Sequence, residues 1–217
     1  MKPLAECFLY GFIDTAYLDG RPVADLTACL CDNGVDLLQF RAKELPTELV
    51  SEMASKVKVV TDRFDVPLVV NDYPEIADRL GAAYCHLGQE DLTFLKPSEA
   101  DIRTSSRGNS WSLGVSTHSP DQALRSIAIG ASYLGVGPVY PTGTKPKAQP
   151  VTVDYVRWAS TNVSLPWFAI GGISLLNLDE VLEAGAKRIC VVSAILRAPD
   201  PARACRSFKN RLPSRPE

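Results

Sequence analysis

The sequence predicts an α/β fold, a (β/α)8 barrel, on three observations. Short β-branched apolar runs alternate with longer amphipathic stretches, glycines close several of those stretches, and polar residues follow nearly every apolar run. The strands in order are Phe8–Ile13, Val35–Phe40, Pro67–Val70, Ala83–Leu87, Trp111–Val115, Ser132–Val136, Trp167–Ile170 and Arg188–Val192. Gly34, Gly81, Gly130 and Gly185 each stand just before a strand, where a helix can end in the left-handed conformation that glycine adopts without strain. Pro67 and Pro166 stand at the starts of strands three and seven, where a missing N–H does least harm. Eight such units could also form an open doubly wound sheet. That arrangement normally shows one glycine-rich crevice, whereas here polar residues follow nearly every strand, so a closed TIM barrel is favoured.

With 217 residues, 46% hydrophobic and 22% charged, the chain is expected to fold as a single domain over 1–217, with a basic last helix and tail from about 200. A net charge of −2 offers no general attraction to nucleic acid or to an anionic membrane surface, so a small-molecule substrate is favoured. Arg203, Arg206, Lys209, Arg211 and Arg215 read as the solvated face of the last helix. No apolar run is long enough to span a bilayer and the first residues lack a signal-peptide order, so a cytoplasmic location is expected. Cys7, Cys29, Cys31, Cys85, Cys190 and Cys205 show no zinc-ligand spacing and read as reduced core residues. A homo-oligomer is left open.

In such a barrel the chemistry gathers at the carboxyl ends of the strands. After strand two, period two puts Gln39, Arg41 and Lys43 on the side of the barrel mouth and turns Leu38 and Phe40 toward the helices. Asn71-Asp72 ends strand three, and His86-Leu87-Gly88-Gln89-Glu90-Asp91 ends strand four. Asp72 and Asp91 could share a Mg²⁺, which takes one or two carboxylates plus phosphate oxygens. Either could instead cap the next helix, a role that suits Asp72 better than Asp91. After strand five, Ser119-Pro120 makes a helix start, which leaves Ser116 free for a ligand. His118 is open between proton transfer and polar packing, and His86 is expected to be packed.

Between strand six and its helix runs Gly135–Ala148, carrying Thr142, Gly143, Thr144, Lys145 and Lys147 on a backbone punctuated by glycine and proline. Its length suits a lid over a phosphate. Gly171-Gly172 after strand seven and Val192-Ser193 after strand eight are expected to lead straight into helices, and a phosphate monoester fits between them. Taken singly, these motifs read equally as surface charge or tight turns.

Together, Gln39–Lys43, Asn71-Asp72, the His86–Leu92 run, Ser116-Thr117-His118, Gly137–Lys145 and Gly171-Gly172 resemble the thiamine phosphate synthase family, over nearly the whole chain. The resemblance implies a (β/α)8 transferase. Its substrates would be 4-amino-2-methyl-5-hydroxymethylpyrimidine diphosphate and 4-methyl-5-(2-phosphoethyl)thiazole, the latter in plain or carboxylated form. It would form thiamine phosphate and release pyrophosphate with Mg²⁺. By resemblance, Gln39, Phe40, Arg41, Ala42, Lys43, Asn71, Ser116 and Lys145 would hold the pyrimidine diphosphate, with Arg41, Lys43, Ser116 and Lys145 serving catalysis. Asp72 and Asp91 would bind the metal, and Thr142, Gly143, Thr144, Gly172, Val192 and Ser193 the thiazole phosphate. Phe40, Ala42 and the basic tail are small departures from the usual family pattern that disturb no implied contact.

Two rivals remain at this level. A tautomerase of the thiazole phosphate would keep the phosphate loops and use His118, with no need for the cations and paired aspartates. A non-catalytic binder of thiamine precursors would share every binding group. The reading rests on Arg41, Lys43, Asp72, Asp91 and Lys145 converging at one rim.

Overall fold

The computed structural model describes residues 1–92, 111–143 and 149–213. Eight parallel strands close into a barrel in sequence order: β1 (Leu9–Asp14), β2 (Leu37–Arg41), β3 (Leu68–Asn71), β4 (Tyr84–Leu87), β5 (Ser112–Thr117), β6 (Tyr133–Val136), β7 (Trp167–Ile170) and β8 (Ile189–Val191). The closing pair β1–β8 sets Leu9 against Ile189 and Gly11 against Val191. Every expected strand is present. The strands are buried on both faces, which explains why they read as continuous apolar runs rather than clean alternations.

Four strands run further into polar sequence than hydropathy predicts, β2 by Arg41 and β3 by Asn71 among them. β1 takes in Asp14 and pairs it with Arg41, and β5 continues through Ser116 and Thr117, opposite Gly135 and Val136. A backbone ladder continues wherever its partner continues, whatever the hydropathy of the side chain. Thr117 satisfies its hydroxyl by donating to the Gly135 carbonyl at 3.0 Å and accepting from Tyr155 at 2.7 Å.

The helices α1 (Val23–Asp32), α2 (Thr47–Arg63), α3 (Pro74–Leu80), α4 (Gln89–Leu92), α5 (Pro120–Ala128), α6 (Thr152–Asn162), α7 (Leu178–Glu183), α8 (Ser193–Leu196) and α9 (Pro201–Lys209) follow the strands. Gly34, Gly81, Gly130 and Gly185 all have positive φ, as expected of left-handed helix ends. Ser119 caps α5 by accepting from the Gln122 N–H, with Pro120 in the first turn. Among the described residues no helix is long and apolar enough to cross a membrane. All six cysteines are free, and every one except Cys29 is buried.

The basic tail is not simply a solvated face. Lys209 pairs with buried Asp36, Arg206 donates to Asn33, and Arg211 pairs with Asp179. Arg203 is exposed and Arg215 lies outside the described residues. Asp36 also accepts from the N–H groups of Phe8 and Leu9, both at 2.9 Å, and pairs with Lys2. One carboxylate thus ties together the first segment, the start of β1 and the last helix on the face opposite the strand ends.

Candidate active site

The lower barrel is filled by aromatic rings. Tyr10 lies 5.1 Å from Phe168 and 5.9 Å from Tyr133, and Tyr133 lies 5.5 Å from Tyr84, all edge-on. Gly114, opposite Tyr133 in the ladder, makes room for this layer, since a Cβ there would lie 2.2 Å from the Tyr133 Cζ. Above the rings, at the carboxyl ends of the strands, opens a cleft. Of the residues singled out by sequence, Gln39, Arg41, Asn71, Ser116, Thr142, Gly172, Val192 and Ser193 line it, together with His118.

Arg41 enters the cleft already paired. Its guanidinium lies 2.5 Å from Asp14, a carboxylate only 1% exposed that also accepts from the Ala16 N–H at 3.0 Å. Lys43 lies 3.5 Å from the Asp72 carboxylate in a more open setting. Asp72 takes the left-handed conformation, with φ 65, and donates its N–H to the His86 carbonyl at 3.0 Å. Aspartate is among the few side chains that tolerate that region. The capping expectation is reversed: Asp91 reaches back to the Gly88 N–H at 2.9 Å, whereas α3 is entered through Tyr73 without a side-chain cap. Both aspartates, with Glu75, add to the burial that raises the Cys85 thiol, so their charges bear on one neighbourhood. Among the described residues, no group of three or more His, Cys, Asp or Glu could hold a metal by itself.

Phe40 and Ala42 are buried and do not line the cleft. Phe40 faces the helix layer, as alternation required, so a contact from either residue would come from its backbone. Ser116 is not free: its hydroxyl lies 2.9 Å from His86 Nε2. His86 is packed as expected, yet it also lines the cleft and continues through Nδ1 to the Tyr133 hydroxyl at 3.0 Å. Tyr133 lies 2.9 Å from the Tyr10 hydroxyl, which accepts from Gln39 Nε2 at 2.5 Å. His118 bonds through Nδ1 to the Gly137 carbonyl, and a carbonyl can only accept, so Nδ1 carries the hydrogen.

The loop after β6 is not a free lid along its whole length. Val139 donates to the Ile170 carbonyl at 2.9 Å and Tyr140 to the Gly171 carbonyl at 3.0 Å, so its first half continues the ladder to the end of β7. Thr142 and Gly143 follow this anchor, and Thr144, Lys145 and the rest of the expected lid through Ala148 lie outside the described residues. Gly171 and Gly172 do not lead straight into a helix. They have φ of 100 and 64, and a turn held by Asn177, which accepts from the Ser174 N–H and donates to the Gly172 carbonyl, intervenes before α7. The β8 segment does lead directly into α8.

Sequence reading missed Asp14, Tyr10, Tyr133, Phe12 and Cys190. The first carried the signal used elsewhere, a polar residue directly after an apolar run. The inward aromatics follow period two along β1 and β6, but alternation does not distinguish the inside of a barrel from the helix side when both are apolar.

Comparisons with known proteins agree with this geometry. Residues 9–195 match the model of the family described as thiamine monophosphate synthase. The thiamine-phosphate synthase of Thermus thermophilus is 47% identical over 189 residues, covering 87% of this chain and 88% of its own length. That of Acidothermus cellulolyticus is 41% identical over 211 residues, covering 96% of each chain. A solved structure of thiamine phosphate pyrophosphorylase from Pyrococcus furiosus superposes with a TM-score of 0.82 at 28% identity, covering 95% of this chain and 96% of that one. A barrel with its strand ends arranged in this way, matched over nearly its whole length, belongs to the thiamine monophosphate synthase family.

Proposed function

We propose that the chain, as a transferase of this family, joins 4-amino-2-methyl-5-hydroxymethylpyrimidine diphosphate to 4-methyl-5-(2-phosphoethyl)thiazole, in plain or carboxylated form, yielding thiamine phosphate and pyrophosphate. The observation that carries this reading is that one cleft has two polar sides. Gln39, Arg41, Asn71 and Ser116 come from β2, β3 and β5, whereas Thr142, Gly172, Val192 and Ser193 follow β6, β7 and β8. The first side suits an amino-pyrimidine with a diphosphate, joined by Lys43, Lys145 and the backbone of Phe40 and Ala42. The second, with Gly143 and Thr144, suits a phosphate monoester approached by backbone N–H groups.

Asp72 and Asp91 fit Mg²⁺: they are hard oxygen donors following neighbouring strands, and too few for an all-protein cage, which suits an ion that draws its other ligands from phosphate and water. When bound, the ion neutralises the diphosphate and so favours its departure. Asp14 fixes the direction of the Arg41 guanidinium, so that charge is in place before the diphosphate leaves. The amino-pyrimidine ring stabilises positive charge at its methylene carbon, and the thiazole nitrogen brings its own lone pair, so the protein supplies no nucleophile. Cys190, the thiol in the cleft, is held protonated by burial and is unsuited to that part.

The test is pyrophosphate release measured with both substrates, with and without EDTA. Release that needs both substrates and stops with EDTA is expected; no release, or release indifferent to EDTA, would overturn the reading. Lys145→Ala and Asp91→Ala should each lower turnover by about a hundredfold, the usual size of effect when one preorganised charge-stabilising group is lost.

A further inference from the structure

The barrel interior holds a continuous series of polar groups that runs from one side of the cleft to the other beneath its floor. Gln39 Nε2 meets the Tyr10 hydroxyl at 2.5 Å, Tyr10 meets Tyr133 at 2.9 Å, Tyr133 meets His86 Nδ1 at 3.0 Å, and His86 Nε2 meets Ser116 Oγ at 2.9 Å. We propose that this series is a one-way hydrogen-bond relay that turns the hydroxyl hydrogen of Ser116 into the cleft, with Tyr10, Tyr133 and His86 acting as positioning residues.

The direction follows from the first link. An amide N–H can only donate, so the Tyr10 oxygen accepts from Gln39 and its own hydrogen goes to Tyr133. Tyr133 then gives its hydrogen to His86 Nδ1, which leaves the imidazole hydrogen on Nε2, pointing at the Ser116 oxygen. The serine hydrogen is the first in the series with no acceptor among the described residues, and Ser116 lines the cleft. Run in the opposite sense, the series would strand the Tyr10 hydrogen, since among the described residues that hydroxyl meets only Gln39 and Tyr133. Burial pushes both phenols well above their ordinary pKa, so each keeps its hydrogen. Hydrogen bonds in such a chain polarise one another, so the last donor is stronger than an isolated serine hydroxyl.

The fold makes specific room for the relay. Gly114 lies under the Tyr133 ring, where a Cβ would come within 2.4 Å of the hydroxyl oxygen, and the backbone of Ser116 is pinned by Gln89, which donates to its carbonyl at 2.7 Å. The inference rests on the reading of Ser116 as a pyrimidine diphosphate contact, for which a fixed donor is the complementary group to an anionic oxygen.

The chain has 2 histidines, so the nitrogen NMR spectrum of the free, imidazole-labelled enzyme is simple to assign with His118→Asn. Its two rings are expected to be opposite tautomers, His118 with hydrogen on Nδ1 and His86 with hydrogen on Nε2. Tyr133→Phe should move His86 to a mixture of tautomers and lower kcat about tenfold while KM for the pyrimidine diphosphate changes less than about threefold; a smaller folded fraction would also lower kcat, but it would leave the His86 tautomer of the folded enzyme unchanged. His86 carrying its hydrogen on Nδ1 in the wild-type enzyme would overturn the relay even if Tyr133→Phe failed to fold. An unchanged tautomer in that variant, or unchanged kcat with a shifted one, would overturn it as well. Because the tautomer is read without substrate, failure of the relay shows in the spectrum. Failure of the Ser116 contact shows instead as wild-type turnover in Ser116→Ala.

Discussion

Arg41 carries its charge at the mouth of the barrel with Asp14 beside it, so the guanidinium is 11% exposed and its orientation is set before any ligand arrives. The pair is directional as well as neutralising, since the same carboxylate caps the turn at Thr15–Tyr17 and is fixed by it. Asp14→Asn keeps the shape and the capping oxygen but removes the charge, leaving Arg41 without its orienting partner. The expected outcome is a fall in kcat/KM of about tenfold, the order found when a supporting partner of a charged site group is lost; steady-state pyrophosphate release checks it, and an unchanged value would mean that Arg41 is aimed by other contacts. Gln39 and Arg41 were legible because alternation along one strand assigns both to the same side. Asp14 was not, because its meaning lies in the ladder that sets it beside Arg41, and one strand's sequence does not state its neighbour's register. Asp91 shows the converse limit: its spacing from Gly88 is that of a local back-bond, yet the sequence could not say whether the carboxylate faces its own turn or a ligand.

At the level of elements, the cleft depends on how the segment after β6 lies on the end of β7. Gly171 is required twice over, by its φ of 100 and by Pro138, whose Cα would stand 2.4 Å from an added Cβ. Gly171→Ala should therefore destabilise the protein by about 3 kcal/mol, as substitutions at a special backbone conformation with a steric conflict do. Gly143→Ala, whose Cβ would meet among the described residues only the Tyr17 hydroxyl at 3.8 Å, should leave stability within about 0.5 kcal/mol. Chemical denaturation of the two variants makes the comparison, and equal losses would contradict the packing described. All eight strands and the four helices that end at Gly34, Gly81, Gly130 and Gly185 could be read from the sequence, because burial and left-handed turns leave compositional marks. The strand ends and the anchoring of the β6 loop could not, because they depend on backbone hydrogen bonds to a segment distant in sequence, such as Val139 to Ile170.

Across the whole molecule, the face opposite the cleft is held by Asp36. Burial raises its carboxyl pKa, but the ammonium groups of Lys2 and Lys209 and the N–H groups of Leu9 and Phe8 more than offset this, so the net pKa lies below the ordinary value of 3.8. A carboxyl depressed in the folded state contributes its full stability above the unfolded pKa and loses it as pH falls through the folded one. Asp36→Asn should accordingly lower stability by about 3 kcal/mol near neutrality, the low end for breaking a buried ion pair because both lysines stay partly wet. The gap between variant and wild type should narrow as pH drops below about 4. Denaturant midpoints across that range test it, and a gap independent of pH would point to lost packing instead. The same carboxylate has a topological consequence. Since Lys2 and Lys209, far apart in sequence, grip it together, the segments that carry them lie side by side, and a short covalent splice between those segments would join them beneath the barrel without reaching the cleft. A circularly permuted chain opened at a surface turn such as Gly81 would then keep each strand beside its present neighbours.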